Sequence, residues 1–313
     1  MLVSIGLPVY NGLPYLREAI STILTQDIEF ELIVSDDNST DGSLEFVRTL
    51  SDSRVRVLTN EVNGGIFVNL NRCIDAAQGE YFQVFSQDDL MKPGYLASQV
   101  RSLETNPDAG LVYGMPDYID ENGMQIPTAI NDDTPEVIDQ TLYLWIASHY
   151  GALPASISSI MMPMTTFKTV GRFDPRYRVA GDVEFYNRVS ERFLILRNTD
   201  VLHSVRSHSR MTSALSSAGP LYLHEERELD GWYRERWSVR EYRKIRRFRS
   251  TTRGRYHLGW IKRLVLAGRL REAAVALSRL GGVCPLRWVI CGRLVAAVYP
   301  AWQPHPTVPP PPR

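Results

Sequence analysis

The chain has 313 residues, 44% of them hydrophobic and 22% charged, with 35 basic and 35 acidic side chains. That length suits one sizeable α/β domain with an appendage, and the composition is that of an ordinary globular protein rather than a low-complexity one. Three widely spaced cysteines, Cys73, Cys284 and Cys291, exclude a disulfide framework and offer no zinc spacing, which fits a reducing, cytoplasmic setting.

The neutral total hides a split. Gly231 to Arg313 holds 18 Lys/Arg and 3 Asp/Glu, a net of +15, so Met1 to Asp230 carries −15. Such asymmetry points to two parts with different partners. The start, Met1-Leu2-Val3-Ser4-Ile5, has no basic leader before an apolar run and reads as a strand, not a signal peptide. Leu2 to Leu7 is an apolar run ended by Pro8, and Leu16 to Leu24 has helical spacing. Glu31 to Val34 is the next predicted strand, Ser43 to Leu50 a helix, Arg54 to Leu58 a strand and Val68 to Ala77 a helix ended by Gly79. Tyr81 to Phe85 is a strand, Pro93 to Thr105 a helix and Ala109 to Tyr113 a strand. Met115 to Ile157 reads as a loop-rich insertion with one helix near Thr141 to Ser148, followed by a helix from Val183 to Phe193 and a strand from Val201 to Val205. From Leu223 the chain is helical and Arg-rich, with an amphipathic helix candidate from Leu264 to Leu280, and Pro304 to Arg313 is a proline-rich, disordered tail. Strands alternating with helices predict a mostly parallel sheet flanked by helices, which binds ligands at the carboxyl ends of its strands.

Four constellations carry chemistry. Asp36 and Asp37 follow a strand and precede Asn38-Ser39-Thr40-Asp41-Gly42; they serve a plain strand-to-helix turn or receive a base N–H. Asp88 and Asp89 follow the Tyr81 to Phe85 strand, as a solvated turn or as a pair neutralised by a hard divalent cation together with substrate phosphates. Asp182, in Ala180-Gly181-Asp182, is a helix cap or a general base. His208, beside Arg206, is structural or a phosphate or metal contact.

Read in order, Pro8-Val9-Tyr10-Asn11, Asp36 to Asp41, Asn63-Gly64-Gly65 with Asn71, Gly79-Glu80-Tyr81, Asp88-Asp89, Gly181-Asp182 and Arg206-Ser207-His208 resemble the family 2 glycosyltransferases of GT-A fold, over about Leu2 to Ser213. The resemblance implies an inverting enzyme that moves a sugar from a UDP-, dTDP- or GDP-linked donor to a saccharide or lipid-linked envelope acceptor. It implies nucleotide contacts from Pro8, Tyr10, Asn11, Asp36, Asp37 and Asn71, with Asp37 on the base and Asp88 beside the sugar and phosphates. It implies Mn²⁺ or Mg²⁺ at Asp89 with His208, and Asp182 as general base. A base on the acceptor side and positive charge on the leaving side are what inverting transfer needs. Two positions depart from the pattern: no acid stands at Ser86 or Gln87, and Gly181 replaces a Glu common before the base. The processive members' Gln-any-any-Arg-Trp signature is absent, which favours a single-addition enzyme.

The expected organisation is a glycosyltransferase domain over 1–215, with a nucleotide-binding half 1–100 and an acceptor half 101–215, then a basic helical region 216–303 and the tail 304–313. Arg234 to Arg255 interleaves arginines with Trp237, Tyr242 and Phe248, which fits a peripheral contact on the cytoplasmic face of a membrane or a helical cap on the acidic core; no nucleic acid is expected. The other classes weighed are a nucleotidyltransferase, whose Lys/Arg-bearing loop is missing from Pro8 to Pro14, and an inactive nucleotide-sugar-binding scaffold, which would not need Asp182.

Overall fold

The computed structural model describes residues 2–127, 134–151, 153, 156–209, 218–252 and 254–283. The chain divides into two compact units, Met1–Tyr143 with Pro154–His208, and Leu144–Leu153 with Ser209–Arg313. The predicted tail at 304–313 lies outside the described residues.

In the first unit the elements run β1 (Val3–Val9), α1 (Tyr15–Leu24), β2 (Phe30–Asp36), α2 (Ser43–Arg48), β3 (Val55–Thr59), α3 (Ile66–Ala76), β4 (Tyr81–Val84), β5 (Leu90–Met91), α4 (Tyr95–Glu104) and β6 (Ala109–Ile119). The chain continues through β7 (Gln125–Ile126), β8 (Val137–Ile138), α5 (Gln140–Tyr150), whose residues from Leu144 on belong to the second unit, β9 (Ile160–Pro163), α6 (Met164–Val170), α7 (Gly181–Ser190) and β10 (Leu194–Arg206). The sheet order is β3-β2-β1-β4-β9-β6-β10-β5. The long ladders are parallel: β1 with β2 and β4, β2 with β3, and β10 with β6. β9 runs antiparallel between β4 and β6, so those two strands still point the same way.

Period-two patterning divides β1 between two layers. Val3, Ile5, Leu7 and Val9 are buried in one core with Leu16, Ile20 and Ile23 of α1 and Tyr95, Leu96, Val100 and Leu103 of α4. Burying each such aliphatic side chain contributes roughly 1.5–3 kcal/mol. Gly6 faces the other layer, where a Cβ would stand 2.3 Å from Phe82 and 3.1 Å from Cys73 of α3. Phe82, Phe167, Phe185, Phe173 and Phe67 form a continuous series of ring contacts in that layer.

In the region expected to be loop-rich, the described residues hold more strand than the sequence suggests. β6 extends six residues past Tyr113 to Ile119 and folds back onto β7 through a turn in which Asp120 Oδ1 accepts from the amides of Asn122 and Met124.

The second unit contains α8 (Ala218–Arg236), α9 (Val239–Thr252), α10 (Gly254–Leu266) and α11 (Leu270–Val283). The single helix expected over Leu264–Leu280 is two. Gly268 adopts φ +72, a left-handed geometry that ends α10, and the chain reverses into α11. Leu223, Ile261, Leu264, Ala273, Ala276 and Leu280 form the core of this unit. Arg249 is buried with Glu226 at 2.8 Å and Asp230 at 2.6 Å, so part of the basic stretch is internal structure. Among the described residues, no helix is long and apolar enough to cross a membrane.

Candidate active site

Two turns at the carboxyl ends of β1 and β2 are stitched together side chain to backbone. Asn11 donates its amide to Ser39 Oγ at 2.9 Å, and its Oδ1 accepts the Thr40 amide at 2.8 Å. Gly12 donates to Ser43 Oγ and Leu13 to Asp41 Oδ2, both at 2.9 Å. Asn11 and Asn38 take the left-handed conformation that asparagine tolerates better than most residues, φ 50 and φ 66. The polar run after β2 is therefore spent on building the cradle. Tyr10 remains half exposed at its lip, and Pro8 is half-buried within β1.

The two acids of this turn do different things. Asp37 is buried, and its carboxylate accepts from Asn60 Nδ2 (2.6 Å), Gly64 N (2.9 Å) and Gly65 N (2.8 Å). It anchors the loop that opens α3. Asp36 accepts the Ser39 amide on Oδ1 at 3.0 Å, while its buried Oδ2 has no hydrogen-bond partner among the described residues. Asn71, expected among the nucleotide contacts, instead ties α3 to the segment before α7. Its Nδ2 donates to Phe173 O at 2.8 Å, and its Oδ1 accepts Phe173 N at 3.1 Å. With the side-chain amide so engaged, Asn71 is a tether.

The turn after β4 carries the acidic pair. Gln87 stands where an acid was missing, and its amide clamps Tyr10: Oε1 accepts Tyr10 N at 2.9 Å and Nε2 donates to Tyr10 O at 3.1 Å. Asp89 turns inward and is 4% exposed. Its Oδ2 accepts from Ser158 Oγ at 2.5 Å and its Oδ1 from the Arg206 amide at 2.9 Å. Burial, and then the neighbouring charge of Asp88, push its carboxyl well above the usual carboxylate range. Asp88 turns the other way, and its Oδ2 is 2.8 Å from Nε2 of His208, which follows β10. The His208 ring also packs on Tyr15 at the start of α1, with centroids 4.8 Å apart.

Asp182 is half-buried in the first turn of α7, and its Oδ1 accepts the Val183 amide at 2.8 Å. Gly181 before it is required by packing. A Cβ there would stand 2.7 Å from the Phe67 ring, in the first turn of α3, so the Glu expected at this position has no room. The base candidate and the Asp37-anchored loop are thus joined through Phe67. Arg178 enters the same corner, with Nη1 3.1 Å from where a Gly65 Cβ would be.

Residues 4–152 match the family described as Glycosyl transferase family 2. An uncharacterized glycosyltransferase of Rickettsia typhi, RT0329, is 31% identical over 234 residues, which cover 72% of this chain and 69% of that protein. The chain belongs to glycosyltransferase family 2. The uncharacterized glycosyltransferase RC0461 of Rickettsia conorii is 32% identical over 216 residues, and there this chain covers only 35% of the relative's length. Among solved structures, S. aureus TarS 1–349 aligns with a TM-score of 0.53 at 19% identity, covering 72% of this chain and 65% of that one. The same TarS fragment in complex with UDP-GlcNAc aligns with a TM-score of 0.54 at 20% identity. The fold is therefore that of the GT-A glycosyltransferases.

In this family 2 chain, Pro8, Tyr10, Asn11, Asp36, Asp88, Asp182 and His208 lie at strand carboxyl ends or at the start of α7. Asp37, Asn71 and Asp89 point into supporting structure. Sequence reasoning missed Gln87, Ser158, Tyr15 and Glu18. Only Gln87 carried a signal, as the residue where the acid was absent. Ser158 reaches Asp89 across a separation of 69 residues.

Proposed function

We propose that the chain is an inverting glycosyltransferase that moves a sugar from a nucleotide-diphosphate donor to a hydroxyl acceptor, a saccharide or lipid-linked envelope glycan. The observation that carries this reading is the packing of the Asp182 turn directly on Phe67 of the Asp37-anchored helix α3. It sets the base candidate against the helix whose opening loop Asp37 anchors. Asp182 accepts the proton of the acceptor hydroxyl as that oxygen attacks the anomeric carbon, and the bond to the diphosphate oxygen breaks on the opposite side. On the donor side, the exposed ring of Tyr10 supports stacking on the base.

Among the described residues, no group of three or more His, Cys, Asp and Glu side chains forms a ready metal cage. A carboxylate next to an imidazole suits Mn²⁺ better than Mg²⁺, provided donor phosphates complete the ligand set. We assign the metal contact to Asp88 with His208, in place of Asp89, because both Asp89 oxygens already accept protein hydrogen bonds. Bound there, the cation would neutralise charge on the departing diphosphate.

Calorimetry with UDP, dTDP and GDP, each with and without Mn²⁺, tests the donor reading; the UDP-GlcNAc complex of TarS makes UDP the first choice. Asp182→Asn should abolish transfer while nucleotide binding persists, and joint loss of both would make Asp182 structural. Absence of binding in folded protein would overturn the donor reading and point to an inert homologue or to a site completed by acceptor, lipid or partner.

A peripheral contact with the cytoplasmic face of a membrane is the reading for the basic helical region. Its support is the turn between α10 and α11, where Leu266 (76% exposed) and Leu270 (64% exposed) stand among exposed Lys262, Arg263 and Arg271. Flotation with anionic liposomes tests it, and full-length protein remaining in the soluble fraction at low salt would sink it.

A further inference from the structure

We propose that Arg206 is the positioning residue of the Asp88–His208 pair, and that Glu18 on α1 is its anchor. This rests on the metal reading of that pair.

Arg206 ends β10, and its side chain is 1% exposed. Its donors all meet protein acceptors. Nε donates to the Asp88 carbonyl at 3.0 Å, Nη1 to the Asp120 carbonyl at 3.3 Å and Nη2 to Glu18 Oε2 at 2.6 Å. Its main-chain amide holds Asp89 Oδ1 at 2.9 Å. The guanidinium also covers the Tyr15 ring at 4.8 Å, and Tyr15 is the ring on which His208 packs. One side chain therefore reaches Asp88 through its carbonyl and His208 through Tyr15. A planar fork with fixed donors suits this use, and a flexible ammonium does not.

The anchor follows from charge. A buried guanidinium is expensive unless it is paired. Asp89 takes the Arg206 backbone amide, and the carboxylate that meets the Arg206 side chain is Glu18. Glu18 is itself 54% exposed, so it can be neutralised without opening the core. The consequence is specific: loosening the fork should let Asp88 and His208 drift apart while the nucleotide cradle, built from Asn11, Ser39, Thr40 and Asp41, stays intact.

The experiment is Mn²⁺ titration of the full chain by electron paramagnetic resonance with saturating UDP, alongside UDP binding without metal and urea unfolding. Wild type is compared with Asp88→Asn, Glu18→Gln and Arg206→Lys. The expected result is loss of Mn²⁺ uptake in Asp88→Asn and about tenfold weaker uptake in Glu18→Gln and Arg206→Lys, the scale on which outer partners of metal ligands act. Metal-free UDP affinity of Glu18→Gln should match wild type, while its urea midpoint should fall because the buried guanidinium loses its carboxylate, the protein remaining folded under assay conditions. Wild-type Mn²⁺ affinity in Glu18→Gln and Arg206→Lys, with Asp88→Asn defective, would overturn the positioning role while leaving the metal reading standing. Equal weakening of metal-free UDP binding would overturn it too, since that is the mark of a general strut. Absence of Mn²⁺ uptake in wild type would remove the metal reading itself. Should Arg206→Lys fail to fold, Glu18→Gln alone decides.

Discussion

Replacing Asp37 by asparagine separates anchoring from base recognition. In the structure, Oδ1 accepts from Asn60 Nδ2 at 2.6 Å and Gly64 N at 2.9 Å, and Oδ2 accepts from Gly65 N at 2.8 Å. Asparagine keeps the shape but has one acceptor oxygen. If that oxygen retains Asn60 and Gly64, the new NH₂ faces the Gly65 N–H, donor against donor. The opposite orientation loses two bonds instead of one. A hydrogen bond to a charged acceptor contributes about 1.5–3 kcal/mol, and the surviving bonds lose their charge assistance. The expected destabilisation is therefore about 3 kcal/mol. Urea unfolding of the full chain measures it, and amide hydrogen exchange should show Gly64 and Gly65 losing protection first. A variant within about 0.5 kcal/mol of wild type, the range of an inconsequential surface change, would refute the anchor. If such a variant nevertheless lost nucleotide binding, Asp37 would return to the base.

Three further outcomes follow from named contacts. Gly181→Ala should destabilise by about 1 kcal/mol, because overpacking against Phe67 (about 1–3 kcal/mol) exceeds what alanine gains over glycine in a helix; urea unfolding should show Phe67→Leu relieving most of this, and additive losses would contradict it. Gln87→Ala removes both bonds to Tyr10 and should weaken nucleotide binding about fivefold by calorimetry, with unchanged affinity marking the clamp as idle. His203 is buried with neither ring nitrogen hydrogen-bonded among the described residues, and burial lowers its pKa to about 4. The unfolded state, titrating near 6.5, binds that proton first, so stability is fully present above about pH 6.5 and is lost as pH falls towards 4. The loss should reach roughly 2–3 kcal/mol by pH 4.5, and a His203→Leu variant should lack that share of it in urea titrations at pH 7 and 4.5.

Much of the fold was legible because its signals are local. Apolar runs ending in Pro8 or in Asp36-Asp37 mark strand ends, and α1 shows its buried stripe at Leu16, Ile20 and Ile23. β9 was not legible: four residues, Ile160 to Pro163, gain strand character only from pairing with β4 and β6. The α10–α11 reversal was legible in principle at Gly268, but the apolar spacing continues across it. In the site, residue types gave the chemistry and could not give orientation. Asp88 and Asp89 are adjacent and alike in sequence; only the hydroxyl of Ser158 and the Arg206 amide, both remote along the chain, turn one inward. The same limit separates Asp36 from Asp37, whose difference depends on the amides of Gly64 and Gly65.

The antiparallel strand β9 bears on how this architecture can be divided. The family match stops at residue 152, yet the strand that pairs with both β4 and β6 begins at Ile160. A fragment cut at that limit would leave both strands with an open flank and strip Asp89 of the hydroxyl that holds it. The smallest heritable piece is therefore longer than the recognisable motif block. Recombination at any point between Val84 and Pro163, the exposed Asp120–Met124 turn included, separates β4 from β9 and should be tolerated poorly.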